Sequence, residues 1–469
     1  MRSEYKAGID AWFETHREQL LADLADLVAI NSVRSEALPG KPYGEGCARV
    51  LARAEEMFRR DGFAPCNFDN HVVTANLNDG ETVLGILAHL DTVAVSDSWS
   101  SDPFTMCRED AVVYGRGVSD DKGPAVAAYY ALRAARAIAP ELTKNCRLIL
   151  GSCEETGSSD IAYYRQKEPF PPMVFTPDGN YPVVNFEKGR YAPAFGRKWE
   201  PETAACRVLS LTGGATGNIV PKDACALVTG FDRETVEQYV AKFAPGDVSV
   251  TCREADEAIE IAVAGKAAHA STPEAGVNAQ TALLTLLAAM PLDDCDSTRV
   301  IRALAGLMPH GDLAGQILGI ACADEETGTL TFNFGVLKLT DTGVFGICDI
   351  RMPLCADGDA VAGTFTRALS ACGIQVYEDS SLTSYHYTAP DTVFVRTLLE
   401  IYEAYTGDPG RCLAIGGGTY VHDIEGGVAF GCEMPGYDSR MHGDDERMPI
   451  VVLLLSAKMF TQAILELCR

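Results

Sequence analysis

Residues 82–88, Thr-Val-Leu-Gly-Ile-Leu-Ala, form a short, almost continuously apolar run that ends in His89-Leu90-Asp91-Thr92. Such a run reads as a parallel strand buried on both faces, so the chain must cover both sides of a sheet with helices. His89 and Asp91 then stand at the strand's carboxyl end, where open α/β sheets bind their ligands. Two residues apart on extended chain, they face the same side. The Asp91 carboxylate can therefore orient the His89 imidazole while the other ring nitrogen binds a metal.

Three further turns follow the same pattern. Gly115, Gly117 and Gly123 allow a tight path around Asp120, and Pro124 with the alanine-rich residues 125–139 reads as a helix with proline in its first turn. Asp120 lies just ahead of that helix, where negative charge is favoured with or without a metal, so a capping role stands beside a ligand role. An apolar strand over 146–152 runs into Glu154-Glu155-Thr156-Gly157. Two adjacent acids repel and need a cation or a shared proton, although surface acidic pairs are commonly just solvated. The strand 173–176 delivers Asp178 to a fourth turn. Helical periodicity over 9–30 and 47–60 completes the signature of a doubly wound α/β domain.

From about residue 185 the pattern changes to short alternating strands broken by helices over 233–243 and 278–290, which reads as a separate α+β domain. Strands and helices over 258–290 are echoed in order by those over 329–371, without a residue repeat. Helical periodicity resumes over 392–405, followed by Gly416-Gly417-Gly418-Thr419, an apolar strand over 428–431 and a last helix over 450–468. The expected fold is α/β: residues 1–185 and 390–469 form a mixed, mostly parallel sheet flanked by helices, and 186–389 are an inserted α+β domain with a doubled plan.

The formal charge of −26 argues against nucleic acid and anionic membranes as partners, because long-range repulsion opposes both. No apolar run is expected to span a membrane, and the first residues lack the hydrophobic core of a secretory signal, which predicts a cytoplasmic protein. The sixteen cysteines are scattered without a C-x-x-C pair and read as small buried thiols. Cys153, beside the paired glutamates, is a core residue or a nucleophile.

Taken jointly, His89, Asp120, Glu155, Asp178 and the late His442 offer two nitrogen and three carboxylate donors. Zinc accepts both kinds, and one shared carboxylate can hold two ions. Glu154 is then left over as a general base. The competing reading scatters these residues through unrelated turns.

The motifs His89-Leu90-Asp91, Gly115 through Gly123, Glu154-Glu155-Thr156-Gly157-Ser158, Thr176-Pro177-Asp178, and Gly416 through Tyr420 leading to Met441-His442 occur together and in this order. In that respect the chain resembles the co-catalytic zinc metallopeptidases of the aminoacylase and glutamate-carboxypeptidase type, and among them the bacterial carnosinase-like dipeptidase branch. The resemblance implies a catalytic domain at 1–185 and 390–469 and a lid at 186–389, enlarged so that the chain works as a monomer. It implies two divalent ions, zinc first with manganese or cobalt open. His89 and Asp178 would hold one, Glu155 and His442 the other, and Asp120 would bridge them, with a cis peptide after it. Asp91 would orient His89, and Glu154 would act as general base and then acid. In the lid, His269 would support the developing oxyanion, Asn218 the substrate backbone and Arg351 the substrate carboxylate. Gly417 and Gly418 would line the substrate. Where many members of the branch have a small residue and an arginine, this chain has Val421-His422-Asp423.

The implied activity is metal-dependent dipeptide hydrolysis on small peptide substrates. Two alternatives stand beside it: an aminoacylase, deacetylase or carboxypeptidase acting on N-acyl amino acids, and a non-catalytic metal-binding regulatory or scaffolding protein. Glu154 argues against the second, because a purely structural metal site has no use for an extra base.

Overall fold

The structure, a computed structural model, describes residues 3–469. It separates into two compact units, one built from the chain up to Phe186 with His386–Leu413 and Gly418–Arg469, the other from Glu187–Tyr385 and Ala414–Gly417.

The first unit is organised around the strand Thr82–His89, whose last six residues are buried. Alternation along it explains the unbroken apolar run. Leu84, Ile86 and Ala88 face a core shared with the helices Lys6–Val28, Glu45–Arg60, Lys122–Ile138, Val393–Thr406 and Ile450–Leu467, while Leu87 joins Ile149, Val174 and Tyr420 on the other side. The strand pairs in parallel with Asn145–Gly151 and with Met173–Thr176, and the latter pairs in parallel with Gly427–Ala429. Antiparallel strands close the margins: Val72–Asn76 and Pro65–Phe68 on one side, Val183–Glu187 on the other. Parallel pairing has a direct consequence for the site. Thr82–His89, Asn145–Gly151 and Met173–Thr176 end at one edge of the sheet, so the acids that follow them emerge together.

Lys122 opens the helix Lys122–Ile138 and is fully buried. Its Nζ donates to Leu27 O at 3.0 Å and Ile30 O at 2.8 Å at the end of the helix Lys6–Val28, adding a second donor to Leu27 O beside the Ile30 N–H. The helix Ile450–Leu467 corrects one expectation from the sequence: it is long and apolar enough to cross a membrane, with mean hydropathy 1.8. Its apolarity has another outlet, since 61% of it is buried, packed against Lys122–Ile138 and Lys6–Val28.

The second unit holds a ten-stranded antiparallel sheet whose main path runs Ser249–Ala255, Ala258–Ala264, Asp223–Thr229, Arg207–Gly213, Thr331–Thr340, Gly343–Met352, Ala194–Lys198 and Gln375–Val376. The two halves of the doubled plan join where Leu211 pairs with Leu339. Leu283, Leu287, Ile301 and Leu304 from one half and Phe365 and Leu369 from the other share its core. All sixteen cysteines are free, and Cys153 is buried with Tyr43 and Cys47 in a small cluster.

Because the central strand is closed in on both faces, truncating it leaves a cavity that cannot refill. Ile86→Ala is expected to cost about 2–5 kcal/mol in urea unfolding. A cost below about 1 kcal/mol would contradict this packing.

Candidate metal centre

Five of the residues singled out in the sequence meet at the sheet edge. His89 is the last residue of the central strand and is wholly buried. Its Nε2 lies 3.0 Å from Asp120 Oδ1 and 3.7 Å from Asp178 Oδ2. On the other side, His442 Nε2 lies 2.8 Å from Asp120 Oδ2 and 3.2 Å from Glu155 Oε2. The two oxygens of Asp120 therefore face two different imidazoles. Glu154 belongs to the same group, with a carboxylate oxygen within 4.8 Å of donor atoms of His89 and Asp178. The peptide bond between Asp120 and Asp121 is cis. Asp121 turns away from the cluster and accepts the backbone N–H of His89 at 3.0 Å.

These donors fit divalent cations. Ligand atoms about 2.1 Å from a tetrahedral ion sit roughly 3.4 Å apart, which is the range observed between the imidazole and carboxylate atoms here. His89 Nε2 and Glu155 Oε1 are buried without a hydrogen-bond partner, so the close contacts of His89 Nε2 are contacts of charge and not aligned hydrogen bonds, while its Nδ1 bonds to the Asp91 backbone carbonyl at 3.1 Å. The crowding of acids points the same way. Burial, with the charges of Asp178, Glu155 and Asp120, raises the Glu154 carboxyl well above its ordinary value; burial and Asp120 likewise raise Glu155 and Asp178. Asp120 is the exception: burial opposes its charge, but His442 and His89 outweigh it and hold the carboxyl below the usual range. Asp120 and Glu155 in turn push the His442 imidazole up to about 11. The raised carboxyls of Glu154, Glu155 and Asp178 mark a site crowded with negative charge.

Buried carboxylates hold the loops that present these donors. Asp91 accepts Glu154 N and Glu155 N, one on each oxygen, both at 3.1 Å, and its Oδ1 is 3.4 Å from His89 Nδ1. It thus fixes the glutamate turn as well as the histidine. Asp160 accepts Ser152 N at 2.6 Å, Cys153 N at 2.8 Å and the Tyr420 hydroxyl at 2.6 Å, while the Tyr420 ring packs edge-on against His89. Arg34 donates to Thr156 O and Oγ1 at 3.2 and 3.0 Å, steadying the far end of the turn. Glu446, completely buried, takes the N–H groups of Ser119 and Asp120. Asp160, Tyr420, Arg34 and Glu446 were not singled out in the sequence. Tyr420 sits in the Gly-Gly-Gly-Thr-Tyr motif and Arg116, which pairs with Glu446, in Gly-Arg-Gly, which is the only signal that marked them.

Of the remaining sequence candidates, Asn218, His269, Arg351 and Gly417 belong to the second unit and Gly418 to the first. Asn218 O accepts Ala270 N at 2.9 Å and Val220 N donates to Ala268 O, which places the exposed Asn218 and His269 side by side. Ser271 N donates to His269 Nδ1 at 3.2 Å, so the neutral ring carries its proton on Nε2. Arg351 is buried, not a surface charge. Its Nε and Nη2 donate to Asp349 at 2.5 and 3.2 Å and its Nη1 to Gly416 O at 2.6 Å, leaving two of five N–H donors for a ligand. Gly416 must be glycine, since a Cβ there would lie 2.3 Å from Ser271 Cβ. Gly417 has open space at its Cβ position, and Gly418 is exposed.

The chain is also similar to known proteins. The family model described as Peptidase family M20/M25/M40 matches residues 85–282. The Beta-Ala-Xaa dipeptidase of Lactobacillus delbrueckii subsp. lactis is 32% identical over 461 residues, covering 97% of this chain and 97% of its own. Among solved structures, human carnosine dipeptidase 1 superposes with TM-score 0.62 at 15% identity over 99% of both chains. The aminoacylhistidine dipeptidase of Vibrio alginolyticus does so with TM-score 0.55 at 14% identity over 96% of both. At these identities the structural likenesses establish the fold.

Burial pushes the Asp160 carboxyl from its ordinary 3.8 up to about 6. A pKa raised on folding means that the folded chain binds more protons between about pH 4 and 6, so this group's contribution to stability is lost as the pH rises through that window. Asp160→Asn should flatten that part of the pH profile in urea unfolding relative to the parent chain. An unchanged slope would show that Asp160 titrates normally.

Proposed function

The chain belongs to peptidase family M20/M25/M40 and hydrolyses dipeptides with the help of metal ions, and we propose that the cluster at His89, Asp120, Glu154, Glu155, Asp178 and His442 is where it does so. The observation that carries this reading is the Asp120 carboxylate shared between two imidazoles, with one further acid, Glu154, beside it. His89 and Asp178 would hold one divalent ion, Glu155 and His442 the other, and Asp120 would bridge them. Zinc suits the mixed nitrogen and oxygen set, as do manganese and cobalt. Bound there, the ions supply Lewis-acid polarisation of the scissile carbonyl and lower the pKa of the attacking water.

The chain's own residues then have distinct tasks. Glu154 takes the proton of the attacking water and returns it to the leaving amine, so one carboxylate acts as base and then acid. Asp91 keeps both His89 and the glutamate turn in place. We assign His269, through its Nε2–H, to the carbonyl oxygen as negative charge develops on it, a role that fits the tautomer set by Ser271. Arg351, held in plane by Asp349, offers its two remaining N–H groups to the carboxylate of a short peptide. Asn218 would bind the peptide backbone next to His269, with Gly417 and Gly418 close to the substrate. We assign the protein to the cytoplasm as a monomer, with residues 186–389 acting as the lid.

Glu154→Ala should lower kcat by roughly 100- to 10,000-fold while leaving metal content, read by atomic emission, near that of the parent chain. Loss of metal with slow turnover retained would overturn the assignment. Arg351→Ala should raise KM by about tenfold or more for dipeptides with a free carboxylate and much less for their amides. Equal losses for both would remove Arg351 from the substrate. Dialysis against a chelator should abolish hydrolysis, and added zinc, manganese or cobalt should restore it. A panel that sets dipeptides against N-acetyl amino acids identifies the scissile bond, and faster turnover of the N-acetyl compounds would reject the dipeptidase reading.

A further inference from the structure

The loop that carries Asp120 and the loop that carries His442 are more than 300 residues apart, and one buried side chain serves both. Glu446 accepts four hydrogen bonds, all from the Asp120 loop. Oε2 takes Arg116 Nη1 at 2.7 Å and Gly117 N at 3.0 Å, and Oε1 takes Ser119 N at 2.7 Å and Asp120 N at 3.0 Å. The backbone carbonyl of Glu446 accepts Gly115 N at 3.1 Å. In the opposite direction, Arg116 Nη2 donates to Gly443 O at 2.9 Å, one residue beyond His442. The strand Arg447–Pro449 then pairs antiparallel with Val112–Tyr114. The two loops are thus joined just C-terminal to His442, from Gly443 to Pro449.

His442 depends on this junction more than the other donors depend on their surroundings. His89, Glu155 and Asp178 follow or end strands of the central sheet. His442 lies in a loop, its side chain is 55% exposed, and its φ of 61° falls in the left-handed region along with those of Arg440 and Asp445. Side chains other than glycine seldom adopt that region unless their surroundings impose it. Regular secondary structure does not fix its place; the loop is tied to the Asp120 loop at Gly443 and Glu446, and to Ser96 and Ser100 at Asp444 and Asp445.

We infer that the buried Glu446–Arg116 pair is a positioning element that holds His442 against Asp120 and so sets the affinity of the ion position on the His442 and Glu155 side. The inference rests on the two-ion reading above. A carboxylate is required because all four incoming groups are donors. In Glu446→Gln the amide NH2 would meet two N–H groups head-on, so the Asp120 loop and the His442 loop would lose their common register while the shape of the side chain is kept.

The test is metal binding by the full-length protein. Parent chain, Glu446→Gln and Arg116→Lys are loaded with Co2+, dialysed, and followed by metal content, visible absorption and competition with a chromophoric chelator for Zn2+. Glu446→Gln should retain about one ion per chain where the parent retains two, lose one component of the cobalt spectrum, and keep KM for a dipeptide within about threefold while kcat falls. Arg116→Lys keeps the charge but not the planar fork, and should weaken one of the two zinc sites by roughly 10- to 100-fold and leave the other unchanged. It also decides the matter if Glu446→Gln does not fold. Two tightly held ions in both variants would overturn the inference, as would equal weakening of both sites in Arg116→Lys. A parent chain that binds no metal would instead overturn the two-ion reading itself.

Discussion

The structure turns on one carboxylate set between two imidazoles. Asp120 directs Oδ1 at His89 and Oδ2 at His442, and everything near it follows from the electrostatics of that arrangement. Asp178 and Glu155 each approach one histidine, so that negative groups surround two positions and not one. Placing this many carboxylates together away from water is costly unless positive charge joins them, and the raised carboxyls of Glu154, Glu155 and Asp178 express that cost. The parallel centre of the first unit's sheet is what makes the crowding possible, because three strands running one way bring their following turns to a single edge.

The same chemistry is used a second time, in the supports. Asp91, Asp160 and Glu446 are buried acids whose oxygens are taken up mostly by backbone N–H groups of the donor-bearing turns. The amides a carboxylate accepts replace part of the hydration it loses on burial, and it fixes a turn that has no regular secondary structure of its own. Each support serves a different turn: Asp91 the glutamates, Asp160 the end of Asn145–Gly151, Glu446 the glycine-rich loop before Lys122–Ile138.

Much of this was legible in the sequence, for reasons that can be named. The run 82–88 announced a two-sided strand because both faces of Thr82–His89 are covered, and the helices over 9–30, 47–60 and 125–139 were visible in their apolar periodicity. The grouping of His89, Asp120, Glu155, Asp178 and His442 was legible because each follows or flanks an apolar strand or a glycine turn. The supports were not. Asp160 follows two serines, and Glu446 follows two aspartates in what reads as a solvated acidic run. A residue that acts by accepting backbone amides leaves no periodicity and requires no special neighbour, so only the fold distinguishes it from a surface acid. The apolar helix Ile450–Leu467 was misjudged for a related reason: hydropathy reports how apolar a segment is, and tertiary packing decides what covers it.

Substrate choice must also be local. A dipeptide with uncharged side chains is a zwitterion without net charge, so the field of a chain carrying −26 neither draws it in nor repels it at long range. Discrimination then falls to groups that meet its ends. Arg351 is suited to the carboxylate end, since Asp349 holds the guanidinium in plane and also takes Arg190 Nε at 2.7 Å, which fixes the acid in turn. A guanidinium held this way recognises a planar anion by shape as well as charge, whereas a lysine at the same place would recognise only charge. Val421-His422-Asp423 stands where many of the resembling dipeptidases have a small residue and an arginine. The turn Tyr420–Asp423 is anchored through the Tyr420 hydroxyl on Asp160, and His422 faces His386 with ring centroids 6.3 Å apart.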